Sequence, residues 1–172
     1  MNVLKKYHEE IKYDLEQSKE RIITKINKGK TKRKSFIDYF IDDLPDFEKI
    51  KVLSTNKFEI PVNPTMFNPL KGTGKIIISL KDNIKKTGTE IQIEIIPYNE
   101  AYVATIYLVF IFLVVWTVFG LAIRAKTNTF IVVAFGWIIF PFILFIIPLQ
   151  NRSKLRKYRD AFIAMLKNKS SR

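Results

Sequence analysis

Few residues in this chain could do chemistry, and their types narrow what that chemistry is. There is no cysteine, which excludes disulfides, thiolate nucleophiles, iron–sulfur clusters and cysteine-bound zinc. The single histidine, His8, leaves no imidazole pair for a metal or a nucleophile–base couple. Asp42, Asp43, Asp46 and Glu48 form the one dense acidic group. An EF-hand loop needs glycine at its sixth position and glutamate at its twelfth, and this spacing supplies neither. The group reads as a polar turn, and no sequence neighbour completes a catalytic constellation with it or with Tyr39. Gly72-Thr-Gly-Lys75 invites comparison with a phosphate loop. Pro69, however, stands where the first glycine belongs, Ile76 follows the lysine in place of Ser or Thr, and a strand pattern comes next instead of a helix. The glycines suit a turn or bulge leading into a strand. No catalytic residue, no metal ligand and no cofactor is expected.

The abundant chemistry is cationic. Lys and Arg number 29 against 16 Asp and Glu, a net charge of +13, while 48% of the residues are hydrophobic. A disordered basic tail lacks the apolar content, and an ordinary soluble domain lacks the charge. Two clusters carry the excess: Lys28, Lys30, Lys32, Arg33 and Lys34, and then Arg152, Lys154, Arg156, Lys157 and Arg159. Anionic lipid headgroups would reward either with ~1 kcal/mol per basic residue near the surface. Nucleic acid is not expected as a partner, because no aromatic platform interleaves with the first cluster.

The positioning elements follow from apolar patterning. Ala101 to Ile123 is 23 residues with 14 Leu, Ile, Val or Phe, and Phe130 to Leu149 is 20 residues with 15. A helix needs ~20 apolar residues to cross a bilayer core, so both runs predict transmembrane helices, 101–123 and 130–149, joined as a tight hairpin. Neither contains an ionisable residue, which argues against an ion or proton pathway. Gly120, Ala134 and Gly136 are small residues placed to let the two backbones approach, and Pro141 predicts a kink. The start of the chain has no apolar signal region, so the first span would act as its own targeting signal. Cations flank the hairpin on one side, with only Arg124 and Lys126 in the turn. The positive-inside rule then puts both termini in the cytoplasm of a bacterial inner-membrane protein.

Residues 1–100 read as a cytoplasmic α+β domain. Leu4, Tyr7, Ile11, Leu15, Ile22 and Ile26 recur at helical spacing and predict one amphipathic helix, with Gly29 as its stop after Lys28. From Ile50 the period becomes two. Ile50 and Val52; Phe58, Ile60 and Val62; Ile76, Ile78 and Leu80; and Ile91, Ile93 and Ile95 predict an antiparallel sheet of about four strands, the last two a hairpin. Residues 150–172 predict a basic amphipathic helix with Leu155, Tyr158, Phe162, Met165 and Leu166 on one face. That face could lie in the headgroup plane or fold back on the sheet.

This order of pieces, with Pro64-Thr-Met-Phe-Asn-Pro-Leu70 before a glycine-led strand and a membrane hairpin, resembles small uncharacterised two-span membrane proteins of Bacteroidota. The resemblance covers about two thirds of the chain and implies no activity, cofactor or site residues. The function expected from the residues is that of a non-enzymatic, membrane-anchored module that binds a protein partner, anionic lipid headgroups of the inner leaflet, or both, with self-association through the spans or the first helix. Two other readings stay open here: an immunity or defence-type protein that neutralises a toxin or phage component by direct binding, and a small oligomeric pore, although the spans lack a polar lumen face.

Overall fold

A computed structural model describes residues 3–31, 50–63, 72–83, 88–122 and 127–167. After a single 3-10 turn, Val3–Tyr7, the chain forms strand β1 (Glu9–Leu15) and helix α1 (Lys19–Thr31). Strands β2 (Lys51–Ser54), β3 (Lys57–Val62), β4 (Gly74–Asp82) and β5 (Thr89–Ile96) follow. Two long helices complete the described chain, α2 (Glu100–Ala122) and α3 (Thr127–Lys167). The layout is α+β, with an antiparallel five-stranded sheet in the order β1-β5-β4-β3-β2.

The alternating isoleucines behave as their period dictates. Successive side chains of a strand point to opposite faces. Phe58, Ile60, Val62, Ile76, Ile78, Leu80, Ile91, Ile93 and Ile95 accordingly fall on one face and are all buried. The β4–β5 hairpin pairs Ile76 with Ile95, Ile78 with Ile93 and Leu80 with Ile91. Val52, opposite Phe58 on the short outer strand β2, is exposed.

The amino-terminal segment corrects the expectation of a single helix from Leu4 to Lys28. Glu9–Leu15 is a fifth strand, paired antiparallel with β5 from Glu9↔Ile95 to Leu15↔Thr89. Ile11 and Leu15 are four apart, which fits a helix, but Ile11, Tyr13 and Leu15 also alternate, which fits a strand. The open edge of β5 decides between them, since a strand there satisfies a row of backbone N–H and C=O groups. The helix begins only after Ser18, whose Oγ accepts a hydrogen bond from the Arg21 N–H at 3.4 Å as an N-cap. It runs past Gly29 to Thr31.

Two helices cover the same face of the sheet. Ile22 and Ile26, one turn apart on α1, are completely buried. Leu155, Tyr158, Phe162, Ile163 and Leu166 of α3 join them in one continuous core with the strands. The carboxy-terminal amphipathic segment thus folds back on the sheet. Each fully buried Leu, Ile or Phe there contributes about 1.5–3 kcal/mol. The carbonyl of Leu166 closes the arrangement, accepting from Lys25 Nζ at 2.5 Å and from Gln17 Nε2 at 3.1 Å.

There is no break between the second apolar run and this basic segment. Helix α3 is 41 residues long, about 60 Å at ~1.5 Å per residue, and it stays helical through Pro141 and Pro148. Two helices, α2 and α3, are long and apolar enough to cross a membrane, and only 11% and 6% of their most apolar stretches are buried. A core helix of a soluble protein would be mostly buried. Here Leu108, Phe112, Val115, Ile138 and Phe142 all lie open on the outside of the helix pair, a surface compatible with transmembrane helices.

Candidate functional site at the membrane boundary

The sheet meets the hairpin through Pro97, Tyr98 and Asn99. Asn99 Oδ1 accepts from the Tyr102 backbone N–H at 2.9 Å and caps α2. Asn151, buried on α3, approaches the Pro97 carbonyl at 3.4 Å. One turn deeper, Pro148 has no N–H to offer the carbonyl four residues before it, that of Leu144. The Tyr102 hydroxyl of α2 donates to that same carbonyl. Farther along the hairpin, Trp137 Nε1–H donates to Thr117 Oγ1 at 3.0 Å. These bonds join the two apolar helices through backbone and indole groups that their apolar surroundings would otherwise leave without a partner.

A cluster of three arginines lies where α3 passes the edge of the sheet. Arg152, Arg156 and Arg159 are four and then three residues apart and share one flank of α3. All three converge on Glu9 of β1. Arg156 donates through Nε and Nη2 to Glu9 Oε2, each at 2.7 Å, and Arg159 Nη1 reaches Oε1 at 3.0 Å. Arg152 stands off at 3.7 Å. Glu9 belongs to the inward row of β1, opposite Ile95, so its carboxylate emerges at the edge of the core beside α3. Arg159 is itself buried and also pairs with Asp160 at 2.8 Å.

The other face of the sheet is polar. His8 bridges Glu94, with Nδ1 at 2.9 Å from Oε1, and Tyr98, with Nε2 at 2.6 Å from the hydroxyl. Burial, and then the nearby Glu94 carboxylate, push the Tyr98 phenol above its ordinary value. Cross-strand partners line the rest: Lys12 with Glu90 at 3.7 Å, Gln92 with Glu10, and Lys75 with Glu59 at 3.3 Å. Where this face reaches α2 there is an open cleft of about 480 Å³, bordered by Glu59, Asn63, Lys75, Tyr98 and Glu100. Among the described residues, no group of three or more His, Asp or Glu is placed to hold a metal ion.

The residues singled out from the sequence distribute as follows. Lys28 is exposed toward the end of α1 and Lys30 lies within that helix, while Lys32, Arg33 and Lys34 lie outside the described residues. So do Asp42, Asp43, Asp46 and Glu48, the Phe-Asn-Pro segment, and Arg124 with Lys126. Arg152, Arg156 and Arg159 face Glu9, Lys157 is exposed, and Lys154 is half-buried against Gly72, where an added Cβ would stand 3.0 Å from Lys154 Cβ. Within the hairpin, a Cβ at Gly136 would lie 3.4 Å from Leu113 Cδ2, whereas one at Gly120 would meet open space, and Ala134 is exposed. Pro141 sits inside α3 without ending it.

Glu9, Lys6, Glu94 and Tyr98 were missed by sequence reasoning. The signal for Glu9 was the spacing of the three arginines, which puts three like charges on one helix flank and calls for an acidic neighbour. The glycines of Gly72-Thr-Gly-Lys75 serve packing. Gly74 has φ of +144°, and a Cβ there would lie 2.2 Å from the Ile96 carbonyl oxygen and 2.9 Å from Leu155 Cδ1. Only glycine lets β4 come this close to β5 and α3.

Compared with known proteins, the chain matches no protein-family model, no curated protein and no solved structure.

Proposed function

We propose that this chain is a non-enzymatic binding module anchored in a bacterial inner membrane, with its sheet and both termini on the cytoplasmic side. In this reading the polar sheet face receives a protein partner, and the basic segments hold the domain against anionic lipid. The supporting observation is helix α3, whose first half lies open like α2 and whose second half completes the core of the sheet. A domain joined to its anchor by a shared helix is held close to the bilayer at a set orientation, which suits presentation of a surface to something arriving there. Five cations directly after the second apolar run, Arg152, Lys154, Arg156, Lys157 and Arg159, against two between the runs, Arg124 and Lys126, favour the cytoplasmic side. The residue inventory, with no cysteine and one histidine already held by Glu94 and Tyr98, favours binding over catalysis.

The test is to extract the chain from its native membrane in polymer nanodiscs and to identify by mass spectrometry what travels with it. A stoichiometric protein, or anionic phospholipid enriched over the bulk membrane, is the expected outcome. A chain that travels with neither would contradict the reading.

A further inference from the structure

We propose that the flank of α3 facing the amino-terminal turn is a built site for the phosphate of an anionic lipid, with Lys6 and Arg152 as its principal contacts and Glu9 as the group that sets its charge. This inference deepens the anionic-lipid part of the proposed function and rests on it.

Depth is the first argument. Lys6 Nζ lies 4.8 Å from the centre of the Phe145 ring, and Tyr7 meets the same ring edge-on at 5.7 Å between centroids. Phe145 is part of the apolar run that ends at Leu149, so the turn Val3–Tyr7 is seated at the rim of the hydrocarbon layer. Its lysine holds the ammonium itself over the Phe145 and Tyr7 rings, at 4.8 and 5.3 Å from their centres, a cation–π seat at the edge of the apolar run from which the flexible side chain can reach the headgroup level. Arg152 comes three residues after Leu149, about 4.5 Å farther along the helix at ~1.5 Å per residue. Headgroup phosphates occupy that zone, within the first several ångströms beyond the acyl chains.

Charge is the second argument. Lys5, Lys6, Arg152, Arg156 and Arg159 are five cations on the turn and this flank, and Glu9 and Asp160 are the two carboxylates the arginines meet. Among the described residues, no ion pair holds Lys5 or Lys6. The arginines also differ in how firmly they are held. Arg156 and Arg159 are engaged with Glu9 at 2.7 and 3.0 Å, but Arg152 is at 3.7 Å and is the one nearest the membrane. Phe145, under the Lys6 ammonium, and Arg152 are seven residues apart, two turns and about 10 Å along one flank of α3. A second oxyanion between these two long side chains would give Arg152 the partner that Glu9 supplies only at 3.7 Å, and guanidinium groups suit a phosphate's paired oxygens. Glu9 thus has two effects of opposite sign. It pins α3 to β1, and it withholds positive charge from any lipid anion.

The two effects can be separated by native mass spectrometry of the full chain in detergent, titrated with phosphatidylglycerol, phosphatidylethanolamine or phosphatidylcholine. Wild type should retain phosphatidylglycerol over the other two. The double variant Lys6→Gln, Arg152→Gln should lose at least about tenfold in that affinity, with its thermal unfolding unchanged. Glu9→Gln should bind phosphatidylglycerol several-fold more tightly while melting at a lower temperature, a pairing that a purely structural role for the cluster would not produce. Unchanged lipid affinity in Glu9→Gln and in the double variant would overturn the site. If instead Gln at Lys28, Lys30, Lys32, Arg33 and Lys34 abolished phosphatidylglycerol retention and the double variant did not, lipid binding would stand and this site would fall. Equal retention of all three lipids by wild type would overturn both this site and the anionic-lipid part of the proposed function. Displacement of phosphatidylglycerol by millimolar inorganic phosphate would overturn the lipid as the source of the anion.

Discussion

The two halves of α3 are one helix with two patterns of burial. From Phe130 to Leu149 the apolar residues point in every direction, and Ile138 and Phe142 are exposed as fully as Val132 and Phe135. From Gln150 to Lys167 the apolar residues narrow to the stripe of Leu155, Tyr158, Phe162, Ile163 and Leu166, all buried. Backbone geometry is common to both halves, so the difference lies in what each pattern can bury. An all-round apolar helix is at home in lipid or a large core, and a striped one needs a single packed face. The same side chain therefore carries different weight a few turns apart.

Phenylalanine gives the largest contrast. Phe162 is 1% exposed and Phe142 is 63% exposed. Phe162→Ala should cost about 3–5 kcal/mol through lost burial and a cavity in the sheet core. Phe142→Ala should change folding stability by less than about 0.5 kcal/mol, as read by thermal unfolding in the same detergent. Equal losses would break the comparison.

Gly74→Ala should come next, at about 3 kcal/mol. It combines a backbone conformation that L side chains rarely adopt with a steric conflict against the Ile96 carbonyl and Leu155. The variant should detach the second half of α3 from the sheet while leaving the hairpin inserted, so limited proteolysis should cut after residue 150 first.

In the apolar half, hydrogen bonds take the place of burial. Tyr102→Phe removes the donor to the Leu144 carbonyl that Pro148 leaves unmatched. The expected loss is about 1 kcal/mol, typical of side-chain bonds between membrane helices. Restoring an N–H with Pro148→Ala should make Tyr102→Phe nearly neutral, which a double-mutant cycle of unfolding free energies would measure.

The smallest effect concerns pH. Tyr98 titrates above its ordinary value of 10.0 because it is partly buried and faces Glu94. Burial of the neutral phenol adds stability that is fully present below pH 10, where the phenol of the unfolded chain is still protonated. It is lost as pH rises above 10, where the unfolded chain gives up that proton first. Melting temperature should fall across that window, and Tyr98→Phe should flatten the fall.

What the sequence conveyed follows the same division. The two long apolar helices and strands β3 to β5 were legible because each has one dominant pattern and no competing signal. Strand β1 was not. Leu4, Tyr7, Ile11 and Leu15 satisfy a helical spacing while Ile11, Tyr13 and Leu15 satisfy a strand spacing, and Glu9 places a charge where the strand pattern wants an apolar residue. Only α3 explains that charge, since its three arginines receive it. The destination of the basic helix was equally hidden, because an apolar stripe flanked by cations fits a headgroup plane or a sheet, and which one is available depends on contacts some 60 to 150 residues away in the chain. Gly74 was legible as a bulge or turn signal, but its reason, the Ile96 carbonyl and Leu155, required the packed helix.

The central claim is that α3 joins the membrane hairpin to the sheet, with strand β1 and the end of α3 on one side of the membrane. The natural absence of cysteine makes single-cysteine reporters clean, and Lys12→Cys and Lys157→Cys are both at exposed positions. Labelling with a membrane-impermeant maleimide should leave both silent in intact cells and reveal both after permeabilisation, while Lys126→Cys, between the two apolar helices in sequence, should label from outside. Lys12→Cys and Lys157→Cys reacting from opposite sides of the membrane would contradict the account.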